Sequence, residues 1–317
     1  MNEKRVRRSM NRKVTNVSMS FVSPPTESFG ERIANIPDAA APRRVKVIRA
    51  PSFSPLGLPG DLRALMQYRD LLYTLSVHRI KVRYKQSALG VSWAILQPLS
   101  LMLIYTVIFS YIARMPSDDT PYAVFAYAAL LPWTFYSTAL VNATNGLVSH
   151  AGLVTKVYFP REILPLTYVI AALFDFLIAS TVFVGLLAYY HVHLTLNALY
   201  AVPITLIMTL FATAMALIFS ATQVRFRDIG VAMPLLLQLW MFATPVVYPL
   251  SSVPARWQGL YKLNPMVGLI ENFRQVTLHG TAPDLPLLGI STIVSLVLLA
   301  AAYLYFKHVE ATLADII

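Results

Sequence analysis

The sequence predicts an all-α polytopic membrane protein. It has six transmembrane helices, an N-terminal amphipathic interfacial helix, and re-entrant outer helices before the last span. Three observations carry this. The 317 residues are 56% hydrophobic and only 13% charged, where an ordinary soluble domain is about 25% charged. Six apolar runs, at residues 86–113, 120–149, 163–190, 193–224, 229–255 and 285–306, together hold one carboxylate, Asp175, and no Lys or Arg. The basic residues between the runs favour one side of the membrane. Each run reaches the roughly 20 residues that a membrane helix needs. The runs are continuous rather than alternating, which selects helices over a barrel.

In chain order, residues 1–60 come first. They hold 11 Lys/Arg against 4 Asp/Glu, so +7 of the net +11 lies there. This reads as a disordered basic cytoplasmic tail beside anionic lipid. Nucleic-acid binding is the competing reading of the charge and is not adopted. No stretch of about 7–15 apolar residues marks a secretory signal. Residues 61–86 follow, with Leu62, Leu65, Met66, Leu72, Leu75 and Ile80 near helical spacing and basic residues over much of the remainder. Asp61 suits the N-cap. A basic amphipathic helix along the membrane surface results. Residues 87–317 form the six-helix transmembrane domain.

Residues 153–165 interrupt the apolar pattern between the second and third spans. Leu153 and Val157 are four apart and share a helix face. Pro160 disfavours helix at Phe159, and Pro165 suits the first turn of the next helix. The segment is either an ordinary turn or a small docking element. Residues 250–283 are too apolar for a solvated loop and too interrupted for a span. Short re-entrant or interfacial helices fit them, with Glu271 and Arg274 spaced to pair on one turn. Lys156, Arg161, Arg225, Arg227, Lys307 and the basic stretch before the first span fall on one side. The positive-inside bias puts that side, and both termini, in the cytoplasm.

Reactive chemistry is sparse. There are no cysteines, which excludes disulfides, thiolate metal sites and cysteine nucleophiles. His191 and His193 are two apart and do not share a helix face, so no metal site is expected. No Gly is followed by Lys anywhere, so the chain holds no phosphate-binding loop of the G-x-x-x-x-G-K type. Asp175 is the one intramembrane carboxylate and a candidate functional group by default, although no charged partner is evident from the runs themselves. Aromatic residues abound: Trp93, Tyr105 and Phe109 in the first span, Trp240, Phe242 and Tyr248 in the fifth. They serve helix packing and interfacial anchoring or stack on sugar rings.

Four stretches resemble the type-2 ABC-transporter permeases that export polysaccharides such as O-antigen, capsule or teichoic acid. They are Arg83-Tyr84-Lys85-Gln86-Ser87-Ala88-Leu89-Gly90-Val91-Ser92-Trp93-Ala94-Ile95-Leu96-Gln97-Pro98, residues 153–165, Val224-Arg225-Phe226-Arg227-Asp228-Ile229 followed by Ala243-Thr244-Pro245-Val246-Val247-Tyr248-Pro249, and Asn264-Pro265-Met266 with Glu271, Arg274 and Gly280. The resemblance covers about residues 61–310. It implies a transport subunit that is not an enzyme. That subunit forms a homodimer joined to two copies of a separate ABC ATPase, which carries the ATP and magnesium. It implies a lipid-linked polysaccharide as cargo and the bacterial inner membrane as the location.

The resemblance also implies site residues. Leu153, Lys156, Val157, Tyr158, Phe159, Arg161 and Glu162 would couple to the ATPase. Arg79, Lys81, Arg83 and Lys85 would meet lipid headgroups or a lipid pyrophosphate. Trp93, Tyr105, Phe109, Trp240, Phe242 and Tyr248 would line the path. Trp257, Tyr261, Glu271 and Arg274 would form an outer gate. Two rival readings stand beside this one. An ion-driven secondary transporter would want more membrane charges and an inverted repeat. A membrane-embedded glycan enzyme would use Asp175.

Overall fold

The structure is a computed structural model that describes residues 65–85, 87–117 and 120–316. The expected basic tail at residues 1–60 and the expected N-cap Asp61 lie outside the described residues. Among the described residues every regular element is helical. Helix α1 is Arg69–Lys85, and a 3-10 turn at Gly90–Ser92 leads into α2, Trp93–Tyr105, which continues as a π-helix at Thr106–Ile112. Helix α3 is Tyr122–Thr144, followed by two short helices, α4 (Gly146–Ser149) and α5 (Ala151–Lys156). The long helices α6 (Ile163–Tyr189) and α7 (Ala201–Arg225) come next, then α8 (Asp228–Phe242). Two more short helices, α9 (Ala255–Lys262) and α10 (Pro265–Thr277), precede the last helix, α11 (Leu285–Ile316).

Among the described residues, five helical stretches are long and apolar enough to cross a membrane: Gly90–Ile112, Tyr122–Thr144, Ile163–Tyr189, Leu196–Arg225 and Leu285–Glu310. The sixth apolar run, expected over residues 229–255, is cut short. Helix α8 has 15 residues, a length of about 22 Å. Pro245 biases Thr244 away from helix, and the chain turns through residues 243–249 into the short helices that follow.

Helix α3 is the centre of the bundle. It carries no charge, and 78% of its most apolar window is buried inside the protein. It packs against α2, α6, α7, α8 and α10. Alanines at 123, 126, 128, 129, 139 and 143, all buried, let neighbouring backbones approach closely, the usual way that membrane helices associate. Larger side chains lock the neighbours in register. The Tyr127 hydroxyl donates to the Ala179 carbonyl of α6 at 3.0 Å, and the Tyr122 hydroxyl to the Val247 carbonyl at 2.7 Å. The Tyr136 ring stacks on Phe211 of α7, with centroids 5.4 Å apart, and meets Trp240 of α8 edge-on at 5.6 Å.

A second apolar cluster joins one end of the bundle. Phe159, Ile163 and Leu164 meet Leu217 and Val224 of α7 and Phe306 of α11, and Leu71, Leu72 and Leu75 of α1 pack onto this group. Helix α1 therefore packs part of its apolar stripe, Leu71, Leu72 and Leu75, against the bundle, while Met66 of the expected stripe stays exposed. Helix α10 is capped by Asn264, whose side chain accepts from the Met266 N–H at 3.1 Å, with Pro265 in the first turn. Its buried face includes Leu269, Ile270 and Val276. Gly268 lets it approach α11, because a Cβ there would stand 2.2 Å from the Ser291 hydroxyl and 3.1 Å from the Leu287 carbonyl.

Gly268→Ala should destabilise the protein by about 2 kcal/mol through this overpacking. Gly259→Ala is the control, since nothing lies within 4 Å of a Cβ at that position. Thermal unfolding of both variants in detergent checks the prediction. Equal melting temperatures would contradict the close α10–α11 approach.

Candidate functional site

Residues 153–165 form a braced loop. Helix α5 ends at Lys156, and Val157 is extended (φ −124°, ψ 133°). The chain then alternates in exposure: Val157 and Tyr158 are 52% and 58% exposed, Phe159 is buried, and Glu162 is 1% exposed. Lys156 points outward and Leu153 is half-buried. The segment thus divides the seven residues singled out in the sequence. Val157, Tyr158 and Lys156 present an outer surface, while Phe159, Arg161 and Glu162 hold it in place.

The brace comes from the far end of the chain. Lys307 of α11 bonds to Glu162 at 2.9 Å and to Glu310 at 2.9 Å. The Arg161 N–H donates to the Glu310 carboxylate at 3.2 Å, and the Arg161 guanidinium to the Glu310 carbonyl at 2.9 Å. Tyr303 donates to Glu162 at 3.5 Å. Burial and the nearby Glu310 carboxylate push the Glu162 carboxyl above its ordinary range, and Lys307 offsets this only in part. Lys307 and Glu310 were not singled out from the sequence. The available signal was two opposite charges three residues apart directly after the last apolar run.

The four basic residues of α1 also separate. Lys81 and Lys85 are exposed, whereas Arg79 and Arg83 turn toward α6. Arg79 donates its Nε–H to the Thr167 hydroxyl at 2.5 Å and lies over the Tyr168 ring, 3.5 Å from its centroid. Arg83 bonds to Asp175 at 2.6 Å, and the Tyr84 hydroxyl donates to the other oxygen of the same carboxylate. Asp175 therefore does have a charged partner. It comes from α1, not from another apolar run.

Among the six aromatics expected to line a path, Tyr105 lines a cleft. Tyr105 shares a cleft of about 400 Å³ with Trp133, Gln97, Ser137, Asn142 and Gln238, between α2, α3 and α8. Trp240 turns inward against Tyr136 and Phe211. Trp93 and Phe242 are exposed, at 50% and 47%. Phe109 sits edge-on to Tyr105, with centroids 5.8 Å apart. Tyr248 donates to the Phe242 carbonyl at 2.7 Å and meets the Tyr261 hydroxyl at 3.4 Å. The polar side chains of α3 at this cleft, Ser137 and Asn142, were missed because α3 reads as a uniform apolar run.

The four outer residues are likewise divided. Trp257 is exposed, under the Arg256 guanidinium at 5.6 Å. Arg274 is 2% exposed. It donates to the Pro245 carbonyl at 2.8 Å and to the Val246 carbonyl, and its guanidinium lies 3.8 Å from the Phe125 ring centroid. Glu271 lies 3.8 Å away on the same helix.

A family model described as ABC-2 type transporter matches residues 70–278. The chain is 34% identical over 257 residues to the O-antigen export system permease protein RfbA of Myxococcus xanthus, covering 80% of this chain and 98% of that one. It is 29% identical over 212 residues to an O-antigen export system permease protein RfbA of Klebsiella pneumoniae, covering 67% and 81%. It is 27% identical over 238 residues to a polysialic acid transport protein KpsM of Escherichia coli, covering 72% and 90%.

Removing Lys307 would leave the Glu162 and Glu310 carboxylates buried together. Lys307→Met should therefore cost about 3 kcal/mol. Glu162→Gln should cost less, because Glu310 keeps its partner and the buried glutamate already resists ionisation. The check is thermal unfolding of the two purified variants at neutral pH. A Lys307→Met protein as stable as Glu162→Gln would mean that the brace is dispensable.

Proposed function

We infer, from the premise that this chain belongs to the ABC-2 type transporter family, that it is the membrane-spanning permease subunit of an ATP-driven polysaccharide exporter. The relatives' names, O-antigen export and polysialic acid transport, support a glycan cargo. We read that cargo as lipid-linked, moving from the cytoplasm across a bacterial inner membrane. The chain supplies no ATPase of its own in this reading. A separate ABC ATPase, two copies bound to a homodimer of this subunit, hydrolyses ATP with magnesium.

The observation that carries the reading is the braced loop. A coupling element must present a surface outside the membrane and must be stiff enough to pass force inward. Val157 and Tyr158 are exposed apolar side chains at the tip of a segment held by Glu162, Lys307 and Glu310. A ligand-driven change in the partner reaches the membrane only if it favours one arrangement of this loop differentially. The loop side is cytoplasmic in this reading, with both termini there.

Helix α8, the turn at residues 243–249 and the short helices α9 and α10 would together complete a sixth crossing, with α9 and α10 re-entrant at the outer side. Irregular backbone is tolerated at membrane depth only where protein satisfies it, as Arg274 does here. Glu271, Arg274, Tyr261 and Trp257 would shape the outer gate. The cleft of Tyr105 and Trp133 is the best candidate for sugar contact, since aromatic faces and amide side chains match sugar faces and hydroxyls.

Tyr158→Ala should lower ATP-driven export at least several-fold while the permease still inserts and unfolds at an unchanged temperature. The measurement is export and ATP hydrolysis by the complex with its ATPase in proteoliposomes. Export that stays at the parent level for each ATP consumed would remove residues 153–165 from the coupling pathway.

A further inference from the structure

Three chain segments meet at Gln223, near the C-terminal end of α7. Gln223 is 4% exposed. Its amide oxygen accepts from the Gly230 N–H of α8 at 2.5 Å. Its amide nitrogen donates to the Arg227 carbonyl at 3.0 Å and to the Asn145 side-chain oxygen at 3.2 Å. A backbone N–H on one side and a carbonyl on the other fix which way the amide points. Helix α8 needs such a partner. Its N-cap, Arg227, makes no side-chain cap, and the first N–H groups of a helix have no partners within it. Pro234 has no N–H, so the Gly230 carbonyl also lacks its usual helical donor. Gly230 therefore marks the weakest turn of α8, and Gln223 holds it. The junction leaves no room to spare. A Cβ at Gly230 would stand 2.6 Å from the Gln223 amide nitrogen and closer still to the Asn145 oxygen.

Asn145 sits between α3 and α4. Its neighbour Gly146 packs on α6, where a Cβ would stand 2.6 Å from the Tyr168 ring. From here the chain runs through α4 and α5 into the loop at residues 153–165. In the other direction α3 presents Val141 and Asn142 to the cleft of Tyr105 and Trp133, and α8 presents Pro234 and Gln238 to the same cleft. Two walls of the cleft thus run into one polar junction. The buried residues of α8 are Met233, Leu237 and Met241, spaced four apart, so packing grips this helix along a single narrow stripe. The position of α8 then depends on how its ends are tied.

We propose that Gln223 is a positioning residue for transport. It ties the first turn of α8 to the α3–α4 junction, so the α8 wall of the cleft moves with the segment that carries α4 and α5. The proposal rests on the exporter reading, in which residues 153–165 receive the motion of the ATPase and the cleft meets the cargo. The amide of Gln223 is the bond between those two places. Without it the Gly230 N–H, the Arg227 carbonyl and the Asn145 oxygen lose a partner together, and a buried polar group left unpaired is costly. Leucine has a similar size and replaces none of the three bonds.

The test compares Gln223→Leu, which removes all three bonds, with Asn145→Ala, which removes only the bond to α3. Asn145→Asp is the rescue, because a carboxylate oxygen accepts from Gln223 as the amide oxygen does. Glycan exported per ATP hydrolysed is measured on the complex with its ATPase in proteoliposomes. Amide hydrogen exchange at residues 228–231 is measured by mass spectrometry on the full chain. Gln223→Leu should lower export per ATP about tenfold and speed exchange at residues 228–231 about tenfold, as loss of a buried hydrogen bond implies. Asn145→Ala should lower export per ATP several-fold and leave that exchange unchanged, since Gly230 stays bound to Gln223. Asn145→Asp should export as the parent does. A cap that only stabilised the fold would reduce the amount of folded protein and leave export per ATP untouched. Export per ATP at the parent level in Gln223→Leu or in Asn145→Ala would overturn the proposal, and so would an equal loss in Asn145→Asp and Asn145→Ala. If the parent complex moves no glycan, the exporter reading fails instead. Exchange then decides the tie by itself, and equal rates at residues 228–231 in the parent and Gln223→Leu would overturn it.

Discussion

A backbone carbonyl left unpaired in hydrocarbon costs several kcal/mol, and this chain must stop a helix in the middle of an apolar run. Helix α8 ends at Phe242, and the carbonyls of Pro245 and Val246 then point away from any helical ladder. Arg274 meets them with its guanidinium, 29 and 28 residues further along the chain. The cation is itself nearly inaccessible, so it depends on those carbonyls as much as they depend on it. The turn at residues 243–249, the position of α10 and the N-terminal end of α3 at Phe125 form one interdependent unit. Neither lysine nor glutamine has the planar fork that reaches several carbonyls at once.

The same constraint explains where the other charges went. Asp175 lies in an otherwise uncharged helix and takes Arg83 from α1. Glu162 lies at the start of that helix and takes Lys307 from α11. Each pair joins elements far apart in sequence, and each sits where an apolar helix meets a polar segment. Removing one partner strands the other, whereas the intact pair adds little net stability. Such pairs are better understood as fixing register and angle between helices than as holding the bundle together. The packing of α3 against five neighbours does that.

The bundle was legible in the sequence because its signal is collective: roughly 20 apolar residues in a row admit few other readings. The helix break at Phe159 and the first-turn position of Pro165 were local and equally readable. Partners were not readable. Arg83 and Asp175 are 92 residues apart, and Glu162 and Lys307 are 145 apart. The orientation of aromatics was not readable for a related reason. In a uniformly apolar helix no periodicity marks the buried face, so Trp240, which packs inward, could not be told from Phe242, which faces out. The end of α8 at Phe242 was missed because the run stays apolar to residue 255, and only the proline at 245 and the distant Arg274 decide where helix stops.

The two ends of the loop at residues 153–165 are tied to different helices. Its C-terminal end enters α6 directly, while Glu162 and Arg161 bind the end of α11. Helix α11 lies along α7, and α7 along α3. Tyr158 is therefore connected to the bundle by two routes, one covalent through α6 and one through an ion-pair cluster into α11. A single hinge would let the loop swing while α6 stayed still. Two attachments remove that freedom, so displacement of the loop must shift α6 and α11 together or break a buried ion pair. On α6 the next charged group inward is Asp175, three turns on, which grips α1 through Arg83. Helix α6 is thus tied by ion pairs to α11 at Glu162 and to α1 at Asp175.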